Sequence, residues 1–198
     1  MKLYLLYGCP FAHRATIALQ EKGLAFEPHF FKSGARPEEL EAVGAYAKSP
    51  TLFDDGVIVW DSSVVVDYIE ERYPEPALMP RDPAERAEVR MLAARVGSEL
   101  MAKEGVIIGE KLKPQPDEAK IAAAAQAFLD ALAPWDARLA GRDWLVGNRF
   151  GIADIYLYTP FVAVQALAGI EVPPERTNLR SWLERMRARP TTKLLSPT

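Results

Sequence analysis

An α/β half followed by an all-helical half is the fold class the sequence predicts, on three observations. Up to residue 74, short apolar runs bounded by glycine, proline or aspartate alternate with stretches of helical spacing, in the order βαβαββα. The stretch PEPALMPRDP then carries several prolines and no periodicity, which marks a linker. Beyond residue 82 every patterned stretch has helical spacing, and no strand signal of comparable strength appears. The expected division is therefore residues 1–74, a linker at 75–82 and a helical domain at 83–198.

In the first half, KLYLLY (residues 2–7) ends at Gly8 and predicts a buried strand. Phe11, Ala15, Ala18 and Leu19 then recur at helical spacing, with Pro10 suited to a first helical position and Gly23 to the stop. Cys9 falls at the cap of this helix. AFEPHFF (residues 25–31) predicts an extended segment, and Pro28 lacks the N–H that an interior strand must donate, so this strand belongs at a sheet edge. RPEELEAVGAY offers a short helix entered through Pro37, and TLFD and VIVW are two strands joined through Asp55-Gly56 as a hairpin turn. Asp61 caps a helix carrying Val64, Val65, Tyr68 and Ile69.

The second half opens on Asp82-Pro83-Ala84-Glu85, an acidic N-cap with proline at N1 and glutamate at N3. Val89, Leu92, Val96 and Leu100 continue that helix on one face. Ile121, Ala125, Phe128, Leu132, Trp135 and Leu139 form an apolar seam, predicting one long helix kinked at Pro134. Residues 152–168 are apolar nearly all round, which predicts a central helix, and Leu179, Trp182, Leu183 and Met186 stripe a last one.

Composition narrows the function classes. Hydrophobic residues make up 49% and charged residues 26% of 198 residues, an ordinary globular balance. The net charge of −3 argues against nucleic acid as a partner, because phosphate binding leaves a basic footprint. Arg180, Arg185, Arg187 and Arg189 are explained by a solvated helix face. Nowhere do the roughly 18 uncharged apolar residues of a membrane span run together, and Gly8 and Pro10 interrupt the apolar start that an export signal would need. One cysteine forms no internal disulfide, so a reducing cytoplasm is the expected location.

That cysteine carries the chemical question. Only a thiolate attacks electrophiles, and a helix N-terminus supplies partial positive charge and free N–H groups that favour the anion. Cys9 is placed for this, with Arg14 one turn on. A buried structural thiol is the alternative, and the cap alone leaves both open. Position 12 is alanine, so there is no Cys-x-x-Cys pair and any disulfide chemistry takes its second thiol from outside. A soluble thiol such as glutathione is the obvious supply. His13 and His29 fit no metal-ligand spacing, and no metal site is expected.

The βαβαββα half with Cys-Pro-Phe at its first helix, a proline opening the third strand, an acidic residue and serine capping the next helix, and a helical second half together resemble the glutathione transferases. GNRFGIADIYLY resembles that family's buried helix start, and LRSWLERMRARP its closing helix. Cys-Pro-Phe-Ala followed by Arg14 is most similar to the cysteine-type, omega-like class.

The resemblance implies a thioredoxin-like glutathione-binding domain, glutathione as co-substrate, and a homodimer. It implies that Cys9 is catalytic and that Arg36, Ser49, Pro50, Asp61 and Ser62 bind glutathione. Pro50 matches a proline that is cis in the family, where the backbone of the preceding residue pairs with the cysteinyl moiety of glutathione. The family often has valine where this chain has Ser49, and Glu-Ser where it has Asp61-Ser62. A solvated loop arginine is the alternative for Arg36, and a plain helix cap for Asp61. Tyr7 stands where tyrosine-dependent relatives keep an activating hydroxyl, and with Cys9 two residues on it is read as packing. Asp154, three residues after Gly151, is expected to satisfy backbone groups alone. Phe11 and Tyr156 are candidates for lining a second-substrate pocket between the domains. The activity implied is a thiol transferase or dehydroascorbate-type reductase working on a small electrophile or mixed disulfide, without nucleic-acid or membrane partners. A conjugating transferase, or a non-catalytic member such as a stringent-starvation-type RNA polymerase-binding protein, are the competing readings.

Overall fold

A computed structural model describes residues 1–35, 37–44 and 48–194 of the chain. They divide into two compact units, Met1–Leu78 with residues 190–194, and Met79–Arg189. Residues 190–194, which the sequence reading included in the helical domain at 83–198, group with the first unit.

The first unit is built on a four-stranded sheet of order β2-β1-β3-β4, from β1 (Lys2–Leu6), β2 (Glu27–Phe31), β3 (Thr51–Asp54) and β4 (Val57–Trp60). β1 runs parallel to β2 and antiparallel to β3, and β3 and β4 form a hairpin. The edge position of β2 agrees with Pro28. Asp55 and Gly56 both adopt positive φ, 47° and 82°, the backbone a two-residue hairpin turn requires. Three helices complete the unit: α1 (Pro10–Glu21), α2 (Glu38–Ala42) and α3 (Ser62–Arg72). Strand alternation sends Leu3 and Leu5 into one core cluster with Ala12, Ala15 and Leu19 of α1 and Val65 and Ile69 of α3. Tyr4 points the other way, where its hydroxyl donates to Glu39 of α2. Burial and that carboxylate push the Tyr4 hydroxyl up to about 12.

Helix α1 is buried continuously from Ala12 to Leu19. Its polar side chains are tied down accordingly: His13 Nε2 donates to the Thr192 carbonyl at 2.9 Å, and Thr16 Oγ1 to the His13 carbonyl at 3.0 Å. Glu21 accepts from the Thr191 hydroxyl. The short 3-10 turn Pro190–Thr192 is thus bound along α1. At the far end the Lys22 ammonium donates to the carbonyls of Tyr73 (2.7 Å) and Pro76 (2.9 Å) and pairs with Glu70 at 2.7 Å.

The second unit contains α4 (Pro83–Val96), a π turn (Gly97–Met101), α5 (Ala102–Lys111), α6 (Glu118–Asp130), α7 (Ala133–Arg138), α8 (Ile152–Ala168) and α9 (Thr177–Ala188). Asp82 caps α4 by accepting from the Glu85 N–H at 2.9 Å. The apolar stripe read through Leu100 runs on through the π turn into α5, a helix the sequence reading did not separate. The seam from Ile121 to Leu139 is also divided. Rather than kinking one helix, Pro134 lies in the first turn of α7, and α6 has already ended at Asp130. Phe128, Leu132, Trp135 and Leu139 nevertheless remain buried across the break.

α8 is the central helix, buried from Ile152 to Phe161. Pro160 deprives the Tyr156 carbonyl of its helical donor, and the Thr159 hydroxyl donates to that carbonyl instead, at 3.3 Å. Asp154 accepts from the N–H groups of Leu145 and Gly151, both at 3.1 Å, and from the Trp182 indole at 2.9 Å. It therefore joins α9 to α8 through a side chain as well as satisfying backbone, more than the sequence reading assigned to it.

Two buried groups make stability pH-dependent in opposite directions. Burial pulls His13 from 6.5 down to about 4 and pushes Asp154 from 3.8 up to about 6. The unfolded chain protonates His13 first, so that contribution is full above 6.5 and is lost as pH falls to about 4. Folded Asp154 holds its proton longer, so its contribution is full below 3.8 and is lost as pH rises through about 6. In urea unfolding, the stability of the wild type relative to His13→Gln should fall by about 3 kcal/mol as pH is lowered across the histidine window. Relative to Asp154→Asn it should rise by a similar amount as pH is lowered across the aspartate window. Parallel pH curves for a variant and the wild type would remove that residue's contribution.

Candidate functional site

Three segments of the first unit meet at the C-terminal end of β1: the turn into α1, the loop before β3, and the start of α3. The chain leaves β1 through Tyr7 and Gly8, and Gly8 takes φ 71°, which a residue with Cβ disfavours. Cys9 is then the N-cap of α1, with Pro10 in the first turn. Its N–H donates to the Leu6 carbonyl at 3.2 Å, and its own carbonyl accepts from His13 at 3.0 Å. The thiol is half-buried, packs against the Leu3–Leu52–Val65 cluster, and lies 3.8 Å from the Ser49 carbonyl oxygen as donor.

Ser49 precedes Pro50 across a cis peptide bond, and Pro50 is buried. The Ser49 hydroxyl accepts from the Leu6 N–H at 2.9 Å. The loop is closed on its other side by Thr51 Oγ1, which donates to the Lys48 carbonyl at 2.8 Å.

Asp61 is the N-cap of α3. Its carboxylate accepts from the Ser63 N–H at 3.0 Å and the Ser63 hydroxyl at 2.7 Å, and its backbone is held at φ 73°, ψ 129°. The Ser63 hydroxyl holds the Asp61 carboxyl below its usual range, helped by the Ser63 N–H and the charges of Lys48 and Arg14. Ser62 is 4% exposed and its hydroxyl accepts from Arg14 Nη1 at 3.4 Å. Arg14, 5% exposed, also lies over the Phe11 ring at 5.2 Å. Phe11, Arg14, Lys48, Ser49, Asp61, Ser62 and Ser63 line a cavity of about 280 Å³.

Of the residues singled out from the sequence, Ser49, Asp61, Ser62 and Phe11 line this cavity, while Cys9 and Pro50 do not line it but adjoin it at Ser49, Cys9 through the Ser49 carbonyl and Pro50 as the next residue in the chain. Arg36 lies outside the described residues. Tyr156 belongs to the helical unit, where it is buried. Tyr7 is 59% exposed with its ring centroid 6.4 Å from that of Phe30, so it is an exposed residue rather than the packing one expected. Among the described residues no three His, Cys, Asp or Glu side chains converge as a metal-ligating group.

The sequence reading missed Lys48 and Ser63, and saw Arg14 only as a charge near Cys9. Ser63 was accessible, because a hydroxyl two residues after a helix-capping aspartate meets its carboxylate. The burial of Arg14 follows from α3 packing on α1, which no local pattern announces.

A mixed four-stranded sheet with its helices, followed by an all-helical unit, is the two-part glutathione-transferase fold. Family models described as the N-terminal and C-terminal domains of glutathione S-transferase match residues 3–77 and 82–190. The chain belongs to the glutathione S-transferase family. It is 30% identical over 173 residues to a maleylacetoacetate isomerase of Pseudomonas aeruginosa, covering 83% of this chain and 82% of that one. It is 25% identical over 191 residues to a stringent starvation protein A homolog of Histophilus somni, covering 94% and 85%. The theta class glutathione S-transferase of Xanthomonas axonopodis pv. citri, solved with glutathione bound, superposes with a TM-score of 0.84 at 29% identity, covering 96% of this chain and 94% of that chain.

The strained cap at Asp61 sets a stability test. Asp61→Ala removes the carboxylate that caps α3 while leaving a β-carbon at φ 73°, and should cost about 1–2 kcal/mol in urea unfolding. Asp61→Gly also loses the carboxylate but accepts that backbone, and should cost less. Equal losses would show that the backbone conformation contributes nothing.

Proposed function

We propose that the protein is a glutathione-dependent thiol transferase or reductase of the cysteine-type, omega-like class, acting through a mixed disulfide at Cys9. The observation that carries this reading is the meeting of a half-buried thiol at a helix N-terminus with the Ser49 carbonyl, beside a cavity lined by one carboxylate, three hydroxyls and two cations. In it, Asp61 would take the γ-glutamyl ammonium of glutathione, Ser62 and Arg14 its carboxylate, and the Ser49 backbone its cysteinyl moiety, with Arg36 meeting the second carboxylate. The Cys9 thiolate attacks the glutathione sulfur of a disulfide RS–SG. The S–S bond breaks, RS⁻ leaves with the electron pair, and Cys9 is left bonded to glutathione. A second glutathione thiolate attacks the glutathione sulfur of that adduct, releasing glutathione disulfide and regenerating Cys9. Conjugation fits less well, since a cysteine bonds covalently to glutathione where a hydroxyl only activates it.

The second substrate on this reading is a small electrophile or mixed disulfide, with Phe11 and Tyr156 as candidate pocket residues, and the working species is a cytoplasmic homodimer. Two other readings draw on the relatives. Identity to the Pseudomonas isomerase favours a glutathione-dependent isomerisation on the same cradle. Likeness to the stringent starvation homologs favours a non-catalytic binding protein. Assays with a glutathionylated disulfide, a chlorinated aromatic and maleylacetoacetate separate the three enzymatic outcomes, and silence in all of them supports the binding protein.

Ser62→Ala should weaken retention on immobilised glutathione roughly tenfold or more, since a hydrogen bond to a charged group is worth about 1.5–3 kcal/mol. Unchanged retention would place the ligand elsewhere. Cys9→Ser should abolish disulfide reduction and leave glutathione binding largely intact, because serine forms no mixed disulfide. Full reductase activity in that variant would exclude the Cys9 mechanism.

A further inference from the structure

Ser62 and Ser63 are neighbours at the start of α3 and both line the cavity, yet their protein partners leave the two hydroxyls with opposite polarity. A guanidinium only donates, so the Arg14 contact at 3.4 Å engages the Ser62 oxygen and leaves the Ser62 proton for an acceptor. An ionised carboxylate only accepts, so the Asp61 contact at 2.7 Å engages the Ser63 proton and leaves the Ser63 oxygen for a donor. The Ser63 N–H goes to the same carboxylate oxygen, Oδ1, at 3.0 Å, and no described residue donates to Asp61 Oδ2. Asp61 Oδ2 and Ser63 Oγ are thus two open acceptors on one capping turn. Around them the cavity offers donors, from Arg14, Lys48 and the Ser62 hydroxyl.

We propose that Ser63 is a specificity-determining residue of this cavity, whose oxygen, beside the open oxygen of Asp61, selects ligands with a free α-ammonium group over the same ligands deaminated. An ammonium carries three donors and is held best where more than one acceptor meets it. An α-amino-acid end places its ammonium and its carboxylate on one carbon, which matches two adjacent hydroxyls of opposite polarity. The ammonium bonds Asp61 Oδ2 and Ser63 Oγ together, and the carboxylate takes the Ser62 proton and Arg14. Glutathione carries such an end in its γ-glutamyl group, and on this point the assignment rests on the glutathione-binding reading above. Without the Ser63 hydroxyl the ammonium loses one acceptor, and Asp61 loses a bond that favours its charged form. Both losses fall on the amine and leave the carboxylate contacts at Ser62 and Arg14 in place.

Two probes test this: S-methylglutathione, whose blocked sulfur forms no disulfide with Cys9, and its deaminated analogue, with glutaryl in place of γ-glutamyl. Binding of each to the full chain is measured by calorimetry in the wild type, Ser63→Ala and Ser63→Thr. Ser63 is exposed, so its truncation opens no cavity in the core. The wild type should prefer S-methylglutathione about tenfold or more, as expected for hydrogen bonds to a charged group. Ser63→Ala should lose about threefold or more of that preference, as expected for one hydrogen bond, while the deaminated analogue binds as before. Threonine, which keeps the hydroxyl, should restore the preference. As pH is lowered, the preference should disappear at a higher pH in Ser63→Ala than in the wild type, because Asp61 then takes up its proton sooner. Equal affinity of the wild type for the two probes, an undiminished preference in Ser63→Ala, or a parallel loss for both probes overturns the role of Ser63 and leaves the glutathione reading intact. No binding of either probe removes that reading, and the role of Ser63 falls with it.

Discussion

Helix α1 runs through the interior of the sheet unit, and because it carries polar side chains there, it has to be hydrogen-bonded to segments far from it in sequence. A buried polar group left without a partner costs on the order of 1–3 kcal/mol, a large fraction of a domain's net stability. His13 is answered by the backbone of Thr192, Arg14 reaches Ser62 at the start of α3, and Lys22 collects Tyr73, Pro76 and Glu70 at the other end of α3. One helix thus anchors the C-terminal turn, both ends of α3 and the chain beyond it. The N-terminus of α1, where Cys9 and Phe11 sit, is fixed by Thr192, which does not line the cavity, and by the Arg14–Ser62 contact, which does. Satisfying α1 and building the site are the same structural event.

Periodicity reports which positions face inward: the buried faces of α4, α8 and α9, and the edge strand at Pro28, are where the pattern places them, whereas on α3 Val64 is exposed and Val66 is buried in its stead. It does not report whether the backbone between two inward positions is continuous. The seam from Ile121 to Leu139 is buried at nearly every step, yet the chain ends one helix at Asp130 and starts another at Ala133, because Pro134 is better accommodated in a first turn than within a helix. The stripe ending at Leu100 ran on through a π turn into α5 for the same reason in reverse. The return of residues 190–194 to the sheet unit was invisible. Thr192 is held through its backbone carbonyl, a group every residue has and no sequence pattern marks.

The site divides along the same line. Cys9 and Asp61 were legible because each begins a helix, and helix starts are announced by local rules about proline, aspartate and serine. Ser49 and Pro50 came from resemblance to a family, and Arg14 and Lys48 emerged only in three dimensions. The role of the Ser49 hydroxyl depends on the register between β1 and β3, which is a relation between residues 43 apart in sequence. A residue that departs from the family's usual valine looked, in sequence, like a substitution the site merely tolerates. In the structure it completes the ladder that proline interrupts.

Charge balance follows from these placements. Two helices, α1 and α3, begin at the cavity, and each contributes positive potential at its N-terminus. Arg14 and Lys48 add two cations, and Asp61 is the one carboxylate among the lining residues. The Ser63 hydroxyl holds that carboxylate in its ionised form, so the negative charge is fixed at one place rather than being free to neutralise the rest. On the glutathione reading proposed above, the ligand is anionic overall and carries a single cationic group for Asp61. γ-Glutamyl peptides with a free C-terminus have that pattern, one ammonium against two carboxylates. Specificity for such a ligand then arises from the position of one fixed negative charge within a positive field, and the short cap Asp61–Ser63 that sets it is also what starts α3.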